Sequence, residues 1–284
     1  MEKQNSLSKN RNICELLAPA GSKEAFIAAV ESGADAVYAG GNLFNARINA
    51  HNFELSEIEE AVRFAHKRNV KVYITINVLI KDEELLEALE YAKNLYVIGV
   101  DAIIVQDIGF ANLVRKHLPG FELHMSTQAS VFDKDGVFQA MELGFSRVVP
   151  ARELSLAEID TLCKETPCEI EVFCHGAICV CYSGQCQMSR YIGGRSGNRG
   201  GCAQPCRLPY KSADRSGGTK ETDLLSPSDM SMIDHLDKLC EAGVRSLKIE
   251  GRMKSPEYVA VVTSIYRKYL DLYAKNGSYE LSEE

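Results

Sequence analysis

The 284-residue chain has no uninterrupted apolar run approaching the ~18 residues that a membrane-crossing helix requires. No membrane-spanning segment is therefore expected. The opening stretch, MEKQNSLSKNRN, is polar and lacks the apolar core of a secretory signal. Residues 1–12 read as a short disordered lead, and a cytoplasmic protein is the expectation. Positive charge is in deficit: 32 Lys and Arg stand against 39 Asp and Glu, a net charge of −7. That balance argues against a general nucleic-acid coat protein, though not against a local basic patch. No Gly-x-Gly-x-x-Gly follows the first apolar strand, which weakens a dinucleotide-binding reading. His-Glu-x-x-His and Gly-x-Ser-x-Gly are also missing, so proteolysis has no familiar hydrolase motif behind it.

Cysteine, by contrast, is plentiful, with ten in the chain. In a cytosolic protein such a count points to metal binding or redox chemistry rather than disulfides. Cys14, Cys163, Cys168 and Cys240 are scattered through predicted strands and helices and read as small core residues. The remaining six fall between positions 174 and 206.

Apolar periodicity predicts strands over 14–18, 35–39, 71–77, 101–106, 122–126, 147–150, 169–173 and 246–250. Helical patterns separate them over 22–32, 56–68, 83–98, 109–118, 134–143, 155–163 and 228–242, and a last helix over 255–274 follows. Gly33, Gly99, Gly144 and Gly243 each end a helix just before a short strand, and Ser22 is a helix N-cap candidate. Strands joined by helical crossovers run parallel, and eight of them make a (β/α)8 barrel; an open doubly wound sheet is the competing architecture. The barrel spans 13–275, and 276–284 reads as a tail or linker.

Barrel chemistry gathers at the C-terminal ends of the strands. The polar residues expected there are Asn45, Asn77, Gln106, Asp107, Ser126, Gln128, Arg152, Glu171, His175, Glu250 and Arg252. Among them His175, Glu171, Gln128, Asn77 and Glu250 are the catalytic candidates, each with a plain hydrogen-bonding role as its alternative. The connection after the seventh strand, 174–227, far exceeds the ~2–6 residues usual for such a loop. It carries Cys179, Cys186, Cys202 and Cys206 among glycines 176, 184, 193, 194, 197, 200 and 201. A loop this rich in glycine gains little order from apolar packing, and thiolates on a metal centre would supply it. Four thiolates suit Zn²⁺ or a [4Fe–4S] cluster, and spacing leaves both open. Cys181, two residues from Cys179, is expected to face away from it. Between 187 and 213 lie Arg190, Arg195, Arg199, Arg207 and Lys211 with no acidic residue. With Arg252, the four arginines are candidates for holding RNA phosphates or the carboxylates of a small acid, and Tyr182 is a candidate for stacking on a base. A merely solvated loop is the bland alternative.

Glu171-x-Phe-x-His-Gly-Ala-x-Cys179-x₄-Gly-x-Cys186-x-Met-Ser189 resembles the signature of peptidase family U32, the collagenase-like family. So do Glu15-Leu-Leu-Ala-Pro-Ala-Gly21, Ser126-Thr-Gln128-Ala, Asn198-Arg-Gly-x-Cys-Ala-Gln-Pro-Cys-Arg207 and Leu247-Lys-Ile-Glu-Gly-Arg252. The resemblance covers residues 13–275. It implies a [4Fe–4S] cluster on Cys179, Cys186, Cys202 and Cys206 and hydroxylation of RNA pyrimidines. The transfer-RNA branch makes 5-hydroxyuridine at the wobble position, with prephenate as a possible co-substrate; the ribosomal branch hydroxylates a cytidine. The implied partners are tRNA or rRNA and an electron donor or partner subunit. Two alternatives stand beside it: proteolysis, which the family name suggests, and a non-enzymatic scaffold that carries the cluster.

Overall fold

The computed structural model describes residues 13–47, 52–213 and 217–282; the lead expected over 1–12 lies outside the described residues. Eight parallel strands form the framework. They are β1 (Glu15–Ala20), β2 (Ala36–Gly40), β3 (Lys71–Ile76), β4 (Ala102–Val105), β5 (Glu122–Met125), β6 (Arg147–Val148), β7 (Glu169–Gly176) and, later in the chain, β11 (Ser246–Ile249). Each pairs in parallel with the next, and β11 pairs with both β7 and β1, which closes the ring. The barrel expected from the eightfold alternation is the fold observed.

Helices α1 (Lys23–Glu31), α2 (Leu55–His66), α3 (Leu85–Ile98), α4 (Ile108–His117), α5 (Lys134–Glu142) and α6 (Leu156–Glu165) follow the first six strands. Short polar residues start them: the side chains of Ser22, Asp107, Asp133 and Ser155 each accept a first-turn backbone N–H. Gly33, Gly99, Gly144 and Gly243 all take left-handed φ, between 91° and 95°, where a side chain would be strained. The recurrent glycine therefore marks the place where the chain reverses from helix into strand.

The 174–227 connection holds a short helix α7 (Met188–Gly193) and a hairpin of β8 (Tyr210–Ala213) and β9 (Thr219–Thr222). The helix expected over 228–242 forms only as α8 (Leu236–Ala242), after β10 (Met230–Ser231), which pairs antiparallel with β7. β7 runs past the end of its short neighbour β6, which pairs with it only as far as Ile170, so the backbone groups on that side need partners. Residues 230–232 supply them, and the Met232 N–H donates to the Cys174 carbonyl at 2.9 Å. Helix α9 (Pro256–Asn276) packs across α1 and β1. Beyond it the chain folds back: the Tyr279 hydroxyl donates to the Ile233 carbonyl and accepts from the Leu236 N–H.

Alternation along the strands sorts the core in two. Leu16, Val37, Val72, Ile103, Leu123, Val148, Ile170 and Leu247 face outward and join the helices in one large apolar cluster. The inward positions instead carry Tyr38, Tyr73, His124, Arg147, Glu171 and Lys248, all buried. Arg147 bridges Glu15 at 2.6 Å, Glu169 at 2.8 Å and Glu171 at 3.1 Å, and Lys248 bonds Glu171 at 2.8 Å. Burial pushes the Glu171 carboxyl up, but Lys248 and Arg147 outweigh it and hold it at about 2.

Two outcomes follow from this network. Arg147→Met should destabilise the barrel by about 3–5 kcal/mol, because it strands buried carboxylates; the urea midpoint measures it. Glu171 is depressed below its ordinary value of 4.5, so its contribution is complete above that pH and lost as pH falls toward 2. Glu171→Gln should flatten that part of the acid-unfolding curve.

Candidate active site beneath the cysteine loop

The long connection after β7 folds back over the barrel mouth and is tied down on two sides. Toward β3, Asn198 accepts the Leu79 N–H at 3.1 Å through its carbonyl, and Arg199 forks onto Glu84 at 2.6 and 2.9 Å. Toward β5 and β6, Ser130 donates to the Ser183 carbonyl at 2.6 Å, and Arg152 donates to the Ser183 hydroxyl at 3.2 Å. Arg207 secures the loop's exit by donating to the Ile178 and Pro227 carbonyls at 2.6 and 2.7 Å. Gly184 lies so close to Gln128 that an added Cβ would stand 2.1 Å from its carbonyl oxygen, and its φ is +73°.

Beneath this cap lies a cleft of about 120 Å³. Asn77, Gln128, Arg152, Lys248, Glu250 and Arg252 line its barrel side; Cys179, Cys186 and Cys202 line its cap side. Cys206 does not border the cleft, but its thiol feels the charges of Cys179, Cys202 and Cys186. Burial, first, and these neighbours push that thiol up, while Arg207 pulls it down. Cys202 Sγ accepts hydrogen bonds from the Gln204 N–H at 3.4 Å and the Ser189 hydroxyl at 3.9 Å. Among the described residues no three His, Cys, Asp or Glu side chains converge on a single-ion site. The four thiols form a looser group, and this donor set fits an iron–sulfur cluster held by four thiolates. Burial, first, and then the neighbouring Cys186 and Cys179 push the Cys181 thiol up.

The cleft's floor is cationic. Arg47 pairs with Glu250 at 3.2 Å. Burial would raise the Glu250 carboxyl, but Arg47, Arg252 and Arg152 together bring it below its ordinary value. Arg252 is buried and donates to the Thr75 hydroxyl at 2.9 Å. Burial, and then the charge of Arg47, lower it to about 10. Burial and the charge of Glu250 push the Tyr38 hydroxyl well up, so it stays protonated and donates to the Ile249 carbonyl at 3.0 Å.

The sequence-predicted residues divide. Asn77, Gln128, Glu250, Arg252 and Tyr182 border the cleft. Glu171 does not; it sits deeper, between Arg147 and Lys248. His175 lies outside the barrel, its ring centroid 5.5 Å from Tyr266 and 6.1 Å from Tyr258 of α9. Simple alternation from Glu171 through Phe173 aims His175 inward. The ladder slips at Cys174, however: Phe173 pairs with Lys248 but His175 with Ile249, and the bulge turns His175 outward. Arg199 and Arg207 are spent on tying the loop, while Arg190 and Arg195 are exposed away from the cleft lining. Arg47 and Lys248 were not singled out from sequence. Arg47 follows Asn45 by two residues, and Lys248 sits on the inward face of β11, so strand register was the available signal for the latter.

The model for Peptidase family U32 matches residues 21–284. The chain belongs to peptidase family U32. Its relatives include the 23S rRNA 5-hydroxycytidine C2501 synthase of Escherichia coli, 46% identical over 90% of this chain and 39% of that protein. The tRNA hydroxylation protein P1 of Bacillus subtilis is 43% identical over 91% of this chain and 63% of its own length. A collagenase of Porphyromonas gingivalis is 35% identical over 95% of this chain and 68% of its own. The chain thus spans less than two thirds of the first two. The solved U32 peptidase Mk0906 superposes with a TM-score of 0.51 at 16% identity, covering 61% of this chain and 73% of that one, and shares the fold.

The U32 cap rests on Gly184. Gly184→Ala should loosen it, costing roughly 1–3 kcal/mol from the strained φ alone. Limited proteolysis within 177–207 reports this: faster cleavage there with the barrel intact is the expected result.

Proposed function

We propose that this U32 chain holds a [4Fe–4S] cluster on Cys179, Cys186, Cys202 and Cys206 and hydroxylates an RNA pyrimidine, the wobble uridine of a tRNA becoming 5-hydroxyuridine. The observation that carries this reading is the shared cleft: three of the four cysteines face Asn77, Gln128, Glu250 and Arg252 across one space. The relatives named for rRNA and tRNA hydroxylation support it.

The reaction replaces a C5–H bond by C5–OH, a two-electron oxidation whose oxygen donor comes from outside the chain. When bound, the cluster would supply redox chemistry at the cap. The protein's own part is positioning: the cap excludes water, the amides of the floor hold the base edge, and the Arg47–Glu250 pair fixes the charge beside it. Prephenate as a co-substrate would bring carboxylates suited to Arg152 and Arg252. An electron donor or partner subunit, and a cytoplasmic location, belong to the same proposal; no described helix is long and apolar enough to cross a membrane.

The zinc alternative would use the same thiolates. For proteolysis, the Porphyromonas collagenase is the supporting relative. Yet none of the described histidines hydrogen-bonds a serine or cysteine, and His175 faces α9. A nucleophile–base pair for peptide cleavage is therefore not assembled among the described residues.

Anaerobically purified protein should contain iron and sulfide in equal amounts, with the visible absorbance of a cubane cluster bleached by air. Cys179→Ala with Cys186→Ala should remove both and abolish the hydroxylated nucleoside in a cell that depends on this protein. Zinc in place of iron, or normal modification by the double variant, would refute the proposal.

A further inference from the structure

Two cysteines 226 positions apart in sequence meet at the seam where the barrel closes. Cys14 immediately precedes β1, whose pairing with β11 begins at Glu15 and Ser246. The Glu15 N–H donates to the Arg245 carbonyl at 2.8 Å, and Cys14 Sγ lies 3.1 Å from the Val244 carbonyl oxygen. Upstream, Gly243 takes its left-handed φ and folds the end of α8 back over this strand start. Its N–H donates to the Cys240 carbonyl at 3.1 Å, and the Val244 N–H donates to the Leu239 carbonyl at 3.1 Å. That turn sets Cys240 Sγ 3.0 Å from Cys14 Sγ, with both side chains buried.

We infer that Cys14 and Cys240 form a dithiol site that a peroxide closes to a disulfide, tying the barrel's first strand to the helix that leads into its last. This does not depend on the hydroxylase reading. A covalent S–S bond is ~2.05 Å long, so the two sulfurs need to approach by about 1 Å, within reach of small side-chain rotations. One sulfur takes an oxygen from hydrogen peroxide as a sulfenic acid, with release of one water. The other thiol then displaces that oxygen as a second water. Two S–H bonds are lost, one S–S bond forms, and the peroxide receives the two electrons.

Buried thiols are ordinarily inert for want of access and of thiolate. Access is provided here because Cys14 borders a hollow of about 590 Å³ among the described residues, at the N-terminal end of the barrel and opposite the cysteine cap. Thiolate is favoured because the contact with Cys14 lowers the Cys240 thiol against the effect of burial. The bond has a physical consequence. Three residue pairs join β1 to β11, and a cross-link beside them removes conformational freedom from the unfolded chain over a long loop. The oxidised protein therefore resists unfolding more than the reduced one.

The test is mass mapping of the full-length, anaerobically purified protein before and after hydrogen peroxide, with free thiols alkylated in denaturant and digestion carried out without reductant. Trypsin releases Cys14 within 12–23 and Cys240 within 239–245. After peroxide these two segments should be found joined, lighter by two hydrogens than their sum, and a phosphine reductant should part them. Both cysteines still alkylated after peroxide, or linked only to Cys163 or to cap cysteines, would overturn the assignment. The oxidised wild type should also melt about 5 °C or more above the same sample re-reduced with the phosphine, which restores thiols but not a lost cluster. Cys14→Ala and Cys240→Ala, treated alike, should show no such difference. Equal melting of the two wild-type samples, or a difference that persists in the variants, refutes the clamp; if neither variant folds, the wild-type peptide map decides alone.

Discussion

A carboxylate with no access to water needs cations within reach, and Glu171 at the centre of the barrel has two, Arg147 and Lys248. Most of the molecule's internal organisation follows from that requirement. Barrel interiors of this kind are usually filled by branched apolar side chains. Here the inward positions of β5, β6, β7 and β11 are given to His124, Arg147, Glu171 and Lys248, while a small inner cluster of Leu17, Ala36, Tyr38, Tyr73, Ala102 and Ile104 fills the β1–β4 side and the larger apolar layer lies between the strands and the helices. Ion pairs this deep add little net stability but are costly to break from one side, so they act as a constraint on register. Shifting β7 by one residue against β11 would send Glu171 outward into an apolar layer, leave Lys248 unmatched and leave Arg147 only Glu15 of β1 in place.

The same rigidity gives the cleft a fixed floor. Lys248 belongs to both levels, bonding Glu171 below and lining the cleft above. The cap is made differently. It has few apolar contacts and is held by point attachments: Arg199 on Glu84, Ser183 on Ser130 and Arg152, and Arg207 on backbone carbonyls. The basic residues that the sequence offers as an RNA-binding field are thus partly consumed in building the loop. Three of the four loop arginines, Arg190, Arg199 and Arg207, have hydrogen-bond partners in the protein, so the cationic surface facing a substrate is set more by Arg47, Arg152 and Arg252 of the barrel than by the loop.

Legibility in the sequence tracks how local the governing interaction is. Strand and helix order was readable because four of the helix-to-strand reversals are written in one glycine and most helix starts in one serine or aspartate. The cysteine group was readable because chain proximity and the glycine-rich loop both point to it. His175 was misjudged because a single bulge at Cys174 reverses every inward–outward assignment after it, and no residue type announces that slip. The 228–242 helix was overextended because β10 answers the overhang of β7, a need created by a distant strand. Arg47 escaped notice because its pairing with Glu250 joins positions 203 apart in sequence.

The two sides of the cleft also bear on one another through charge. Arg252 is buried, has no ion-pair partner among the described residues, and is depressed to about 10 by burial and by Arg47. A cap of neutral thiols offers such a cation nothing. Four thiolates around a cluster carry net negative charge, and on the proposed reading they would face Arg47, Arg152 and Arg252 across one cleft. The floor's excess of cations is then the electrostatic complement of the cap. An anionic nucleotide entering between them gains from the floor what it loses to the cap. Its base, uncharged, is the part free to approach the cysteines, where Gln128 meets its edge.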